Sequence, residues 1–275
     1  MQADLLVDLQ TQGRGAARMV SIQVVAQKHE QLKKAFASNA FDQCEQILEE
    51  LKELLVQFTS LPPLFQQSAT AEQELLLARD VLEHAVLLST KQHDDVGFDR
   101  HYAQLRTYYV DTAQMLPKSE QEYQLTGLNL LRLVSQNRIA EFHTELELIP
   151  VEAQSNVYIT YTLELERCLM EGAYSKLLQL RSDVPSDTYK YFTELLVEAV
   201  KKELASCTEK AYQSLTLADA MKVLMCSSEA ELQTLATEKG WQISNGKLTF
   251  GLGADSCKSE VGTFHPSHSL HIKRV

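Results

Sequence analysis

The sequence predicts an all-α fold: a body of paired antiparallel helices followed by a small module of three helices and a β-hairpin. Three observations carry that prediction. Only 10 glycines and 6 prolines occur in 275 residues, so long uninterrupted helices are expected. Over most of the chain the apolar residues recur at steps of three and four, the spacing of one helical face. After Gly240 the period changes abruptly to two, which is the alternation of strands.

Taken in order, Val20 to Ser38 reads as a first helix. Asn39 is expected to cap the next one, with Asp42 three residues on, and Phe41, Cys44, Ile47, Leu48, Leu51, Leu54, Leu55 and Phe58 trace a single stripe. Pro62-Pro63 ends it, so Lys28 to Phe58 forms a helical hairpin. Thr70 with Gln73 has capping-box spacing and opens a helix through Leu75, Leu76, Leu77, Val81, Leu82 and Leu88. A turn at 93–97 leads to Phe98, Tyr102, Leu105, Tyr108, Tyr109 and Met115, stopped by Pro117. Ser119 and Glu122 form a second capping-box pattern before Tyr123, Leu128, Leu131 and Val134. Ile139, Phe142 and Leu146 follow a break at Gln136-Asn137 and end at Pro150. Shorter helices are expected from Leu163 to Glu171 and from Ala173 to Leu180, with Gly172 at the first C-terminus. No fixed-length consensus repeat recurs, so the body is an irregular, tetratricopeptide-like solenoid.

Pro185 marks the expected internal boundary. Beyond it Tyr189, Phe192, Leu195, Leu196, Ala199, Val200 and Leu204 form a long helix, and Leu217 to Met225 a short one. Ser228 caps a third, with Leu232 and Leu235 inward and Gly240 closing it. Trp241 and Ile243 then alternate with polar residues, Asn245-Gly246 supplies a two-residue turn, and Leu248 and Phe250 alternate on the return. Asn-Gly between alternating runs is a strong hairpin signal, because both turn positions need positive φ. Three helices and a hairpin are the order of a winged helix. The expected organisation is a divergent segment 1–19, a helical-repeat domain 20–185, a winged-helix module 186–250 and a divergent tail 251–275.

Charge and cysteine content exclude several function classes. Residues 1–185 hold 26 acidic and 16 basic residues, a net −10, which disfavours binding to phosphate backbones. The third helix of the module, where a DNA reader needs arginine and lysine, has Glu229, Glu231 and Glu238 against Lys239. Nucleic acid is therefore not an expected partner. No apolar run is long enough to span a membrane, and the N-terminus lacks a secretory pattern. The five cysteines (Cys44, Cys168, Cys207, Cys226, Cys257) are scattered, odd in number and without a C-x-x-C pair, which fits reduced thiols in the cytoplasm or nucleus.

No catalytic, cofactor or metal site is expected. His265, His268 and His271, with Cys257 before them, match no zinc spacing and read as a polar tail. Gly251-Leu252-Gly253 lacks the lysine and helix of a phosphate loop. Tyr102, Tyr108 and Tyr109 sit at helical spacing and read as packing between layers. Glu141, Glu145 and Glu147 read first as solvated charge and second as a docking face. The chemistry the module does offer is backbone: a small sheet has an edge onto which another chain's strand can add.

A helical-repeat body feeding a winged helix resembles the PCI-domain proteins, scaffolds of the proteasome lid, the signalosome and a translation initiation factor complex. Gly127-Leu128-Asn129-Leu130-Leu131, Ser135-Gln136-Asn137-Arg138 and the run from Ala140 to Glu147 narrow the resemblance to the family of non-ATPase regulatory subunit 8 of the 26S proteasome. Leu169-Met170-Glu171-Gly172-Ala173-Tyr174, Glu209-Lys210-Ala211-Tyr212 and Gly240-Trp241 belong to the same pattern, which spans Lys28 to Phe250. The resemblance implies a non-enzymatic scaffold in the lid, in a hetero-oligomer with other lid subunits, supporting ubiquitin-dependent degradation; the alternative is a PCI subunit of another complex such as the signalosome. It implies neighbours that pack through their winged helices, with the contact edge at Lys247, Leu248, Thr249 and Phe250, and with Trp241, Ile243, Leu248 and Phe250 in the module's own core. The resemblance also implies a C-terminal amphipathic helix, whereas the chain after Phe250 carries Gly251, Gly253, Gly262 and Pro266 and no apolar stripe.

Overall fold

The computed structural model describes residues 22–67, 70–226, 228–244 and 246–250. The termini, including Cys257, the three tail histidines and Gly251-Leu252-Gly253, lie outside the described residues, as does Asn245. The helices are α1 (22–37), α2 (Phe41–Leu55), α3 (Ala71–Gln92), α4 (Asp95–Asp111), α5 (Glu122–Ser135), α6 (Ile139–Glu147), α7 (Val151–Gln154), α8 (Val157–Glu171), α9 (Tyr174–Ser182), α10 (Asp187–Ala211), α11 (Leu217–Val223) and α12 (Glu229–Lys239). Three short strands accompany the last helices: β1 (Ser214–Thr216), β2 (Gln242–Ser244) and β3 (Lys247–Thr249). The all-α class with a small sheet holds. The chain divides into two compact units within α10, between Ala199 and Val200.

In the first unit consecutive helices pack as expected of a hairpin array: α2 on α3, α3 on α4, α5 on α6 and α8, and α8 on α9. Cys44, Leu48, Leu51 and Leu55 are the buried face of α2, at the spacing read from the sequence. The tyrosines of α4 serve packing: Tyr102 and Tyr108 are buried, and Tyr109 donates to the buried Glu83 carboxylate at 2.9 Å. The tightest approach is at Gly127 in α5, where a Cβ would lie 2.4 Å from the Tyr189 hydroxyl and 3.0 Å from the Tyr158 carbonyl. That hydroxyl donates to the Gln124 carbonyl at 2.6 Å, so it has no room to retreat.

Several helix ends differ from expectation. Asn39 does not cap α2; it adopts φ +56° and closes α1, with its own and the Ala40 amide bonded back to Phe36 and Ala35. Asparagine tolerates this left-handed geometry because its short polar side chain bonds locally. Thr70 precedes α3, but its hydroxyl donates to Glu74 rather than completing a box with Gln73. Ser119 accepts from the Gln121 amide, and α5 starts at Glu122. Helix α8 starts at Val157, six residues before the expected Leu163, with Asn156 accepting from the Tyr158 amide. Gly172 and Gly240, at φ +69° and +71°, terminate their helices as predicted.

Polar groups inside this unit link helices. The Lys52 ammonium donates to His101 Nε2 at 2.7 Å, which leaves Nδ1–H to donate to Ser89 Oγ at 3.0 Å, and Ser89 donates to the Ala85 carbonyl. The chain joins α2, α4 and α3 and requires a neutral imidazole. Burial, with the Lys52 charge beside it, pushes His101 down to about 4. Burial does the same to His29 in α1, whose ring meets His84 edge-on, again to about 4. Since the unfolded chain protonates these rings near 6.5 and the folded one does not until about 4, stability is full above 6.5 and falls as pH drops through that window. The buried Glu83, raised by desolvation, opposes the trend. A net loss of about 2 kcal/mol between pH 7 and pH 5 is expected in urea unfolding, and a His29→Asn/His101→Asn variant should flatten it.

The second unit, from Val200, follows the winged-helix order: helix, β1, α11, α12, β2, β3. Its core is Ala205, Ala220, Leu224, Leu232, Ala236, Trp241, Leu248 and Phe250, with Leu215, Leu217, Met221, Cys226 and Leu235 packed against it. Trp241 meets Phe250 edge-to-face at 4.9 Å. The sheet order is β1-β3-β2, antiparallel throughout. This corrects one expectation: the segment Lys247, Leu248, Thr249, Phe250 is not a sheet edge. The unanticipated β1 pairs with its far side, placing Ser214 opposite Thr249 and Thr216 opposite Lys247, so β3 is the central strand.

Candidate protein-contact surface of the sheet module

Because β3 is flanked on both sides, the open backbone edges of the described sheet belong to β1 and β2. Two residues connect β2 to β3, and Ser244 pairs with Lys247, Ile243 with Leu248 and Gln242 with Thr249. On the other side the Leu217 amide bonds the Gly246 carbonyl at 3.1 Å and the Phe250 amide the Gln213 carbonyl at 3.2 Å. Antiparallel bonding alternates along a strand, so Leu248 directs its N–H and C=O to β1 while Lys247 and Thr249 direct theirs to β2. The same alternation turns the N–H and C=O of Ile243 away from β3, onto the open side of β2.

The two faces of the sheet differ sharply. Leu215, Leu248 and Ile243 lie side by side on the face toward the core, with Leu248 fully buried. The other face is polar: Ser214 and Thr216, Lys247 and Thr249, Gln242 and Ser244, all exposed. Leu248 and Phe250 thus hold the module together, and Lys247 and Thr249 present side chains to solvent. Ile243, expected in the core, is 40% exposed, because β2 is an edge strand with no neighbour beyond it in the described sheet.

Local sequence explains how the sheet is held. Thr216 ends β1 and caps α11: its Oγ1 accepts from the Asp219 amide at 3.2 Å and donates to the Asp219 carboxylate at 2.7 Å. Ser228 Oγ accepts from the Glu231 amide at 3.3 Å and caps α12, as the sequence predicted. Gly246, at φ +72°, has open space around its Cβ position. Strain, not crowding, decides its replacement, and a β-branched residue resists this geometry most. Gly246→Val is expected to destabilise the module by about 1–2 kcal/mol, read as an earlier unfolding midpoint in the fluorescence of Trp241, the chain's single tryptophan.

The surroundings offer little reactive chemistry. Among the described residues no group of three or more histidine, cysteine or acidic side chains could hold a metal ion. Cys44 and Cys168 are buried, and burial pushes the thiols of Cys44, Cys207 and Cys226 up, away from the reactive thiolate. Glu229 and Glu238 are exposed on α12, and Glu231 pairs with Lys201 within the module. No described helix is long and apolar enough to cross a membrane.

Comparison with known proteins identifies the chain's relatives. The profile of the CSN8/PSMD8/EIF3K family matches residues 120–261. The chain is 46% identical over 228 residues to "26S proteasome non-ATPase regulatory subunit 8 homolog A" of Arabidopsis thaliana, covering 82% of this chain and 85% of the relative. It is 34% identical over 193 residues to "26S proteasome regulatory subunit rpn12" of Schizosaccharomyces pombe, covering 70% of each. It is 31% identical over 223 residues to RPN12 of Saccharomyces cerevisiae, covering 78% of this chain and 81% of the relative. The resemblance read from the sequence is thereby borne out.

Proposed function

The chain belongs to the CSN8/PSMD8/EIF3K family, and from that premise we propose that it is a non-catalytic scaffold subunit of the lid of the 26S proteasome regulatory particle. The observation that carries the reading is the extent of the likeness to proteins named as 26S proteasome regulatory subunits, which takes in most of the chain. In this role the chain supports ubiquitin-dependent degradation in cytoplasm and nucleus, and its partners are other lid subunits rather than nucleic acid, membrane or copies of itself. By sequence, residues 20–185 are taken as the helical-repeat domain and 186–250 as the winged-helix half, so that α10 opens the second although the compact units divide within it, between Ala199 and Val200. Residues 1–19 and 251–275 are taken as divergent termini, the family profile reaching residue 261 in the latter.

Docking is assigned to the sheet module. An open strand edge with unpaired amides and carbonyls accepts a strand from a neighbour, and the backbone of Ile243 on β2 supplies such an edge. Lys247 and Thr249 extend the contact across the polar face, while Leu248 and Phe250 keep the strand in place from below. The negative charge of α12 supports protein rather than phosphate as the partner.

The test is purification of the tagged full chain from cell extract, with quantitative mass spectrometry of the accompanying proteins. Lid subunits together with the proteasomal ATPases are expected in near-equal amounts. Signalosome subunits in their place would transfer the chain to that complex, the second reading a family spanning three kinds of subunit allows.

A further inference from the structure

The segment joining α6 to α8, which carries the single turn α7, leaves several large apolar side chains exposed. Within ten residues Leu148 is 59% exposed, Val151 79% and Val157 69%, and Ile149 and Pro150 complete an unbroken apolar run from Leu148 to Val151. Exposed apolar runs of this length are selected against in soluble proteins unless something binds them. The run is also held on a fixed frame. The amides of Ala153 and Gln154 both bond the Pro150 carbonyl, at 2.9 and 3.2 Å, and the Gln154 side chain donates to the Ile149 carbonyl at 3.2 Å. Thr160 Oγ1 donates to the Gln154 carbonyl at 3.1 Å, and Ala153 is buried beneath. Presenting apolar side chains from a backbone that is already ordered lowers the cost of binding.

Charge selects the occupant. No lysine or arginine occurs from Ile139 to Val157. Glu141 and Glu145 are neutralised by Arg138 and Arg106, whereas Glu147 and Glu152, which bracket the apolar run, are exposed and in no ion pair among the described residues, the Lys118 ammonium being attracted to Glu152 only weakly. A second copy of this chain is a poor occupant, because a two-fold contact would bring these same carboxylates together. We propose that the α6–α8 turn is a second protein-contact surface, covered in the assembly by an apolar segment of a different chain bordered by lysine or arginine. The inference rests on the scaffold reading above, and its test separates the two.

A photo-crosslinking amino acid is placed at Val151 in the full-length chain in cells, the chain is purified after irradiation, and the cross-linked peptide is sequenced by mass spectrometry. One peptide from another protein is expected, with apolar residues beside lysine or arginine. The yield should fall at least fivefold in a Glu147→Lys/Glu152→Lys background whose unfolding midpoint is unchanged. No interchain cross-link, a cross-link to a second copy, an acid-bordered peptide, or an unchanged yield in the double variant overturns the proposal. If the peptide has the expected character but comes from a protein outside the proteasome, the surface stands and the scaffold reading falls. If lid subunits co-purify but Val151 cross-links to nothing, the scaffold reading stands and the surface falls.

Discussion

Replacing Phe142 with alanine is expected to lower the unfolding free energy by about 3–5 kcal/mol. Phe142 is fully buried and is the only buried residue of the nine-residue helix α6. A helix of that length is marginal by itself and depends on packing, here against α5. Removing the ring takes away the transfer energy of a large apolar side chain and leaves a cavity whose walls belong to a hairpin with few other anchors. The loss is to be read as a lower urea midpoint by circular dichroism. A change below about 1 kcal/mol would show that α6 is held by something other than this side chain.

A comparable loss, about 3 kcal/mol, is expected for Trp241→Ala, but in the sheet module. Trp241 is 6% exposed and lies against Phe250 within the core cluster of that unit. Its indole N–H is buried with no acceptor among the described residues, which places the cost at the lower end of the range for aromatic deletions. The same fact yields a contrast: Trp241→Phe keeps most of the apolar volume and removes the unpaired donor, so it should cost less than about 1.5 kcal/mol. Unfolding followed by circular dichroism separates the two variants. Trp241→Ala should also lose its co-purifying subunits, and Trp241→Phe should keep them. Equal losses in stability for both would contradict the core assignment.

Legibility of the fold in the sequence followed the strength of local signals. The stripe of α2, the terminal glycines Gly172 and Gly240 and the Ser228 cap are each set by residues within a turn or two, and each was where the pattern placed it. Helix α8 begins six residues before its expected start at Leu163, and the added segment Val157-Tyr158-Ile159-Thr160-Tyr161-Thr162 is β-branched and aromatic, a composition with little helical preference of its own. Packing decides instead, through the buried Ile159, Tyr161, Thr162 and Leu165. Asn39 shows the complementary ambiguity: asparagine suits both the start of one helix and the left-handed end of another, and here it ends α1.

The contact surface was half legible. The hairpin was evident from period-two alternation around Asn245-Gly246, but β1 was not, because Ser214–Thr216 is three residues long and offers no pattern. Without β1, Lys247–Phe250 reads as an edge; with it, the strand is central and the open edge moves to β2. The exposed run Leu148–Val151 was equally hidden, since Leu148 and Ile149 continue the apolar stripe of α6 and only burial separates covered from uncovered positions.

Hydrogen–deuterium exchange of the β2 segment tests the central claim most directly. The peptide spanning Trp241 to Ser244 is compared between the isolated full-length chain and the chain in purified regulatory particles. Docking through the open edge predicts that the Ile243 amide, which faces away from β3, exchanges freely in the isolated chain and at least tenfold more slowly in the particle. Equal exchange in the two states would show that this edge stays uncovered, and that the chain is held in its assembly by other surfaces.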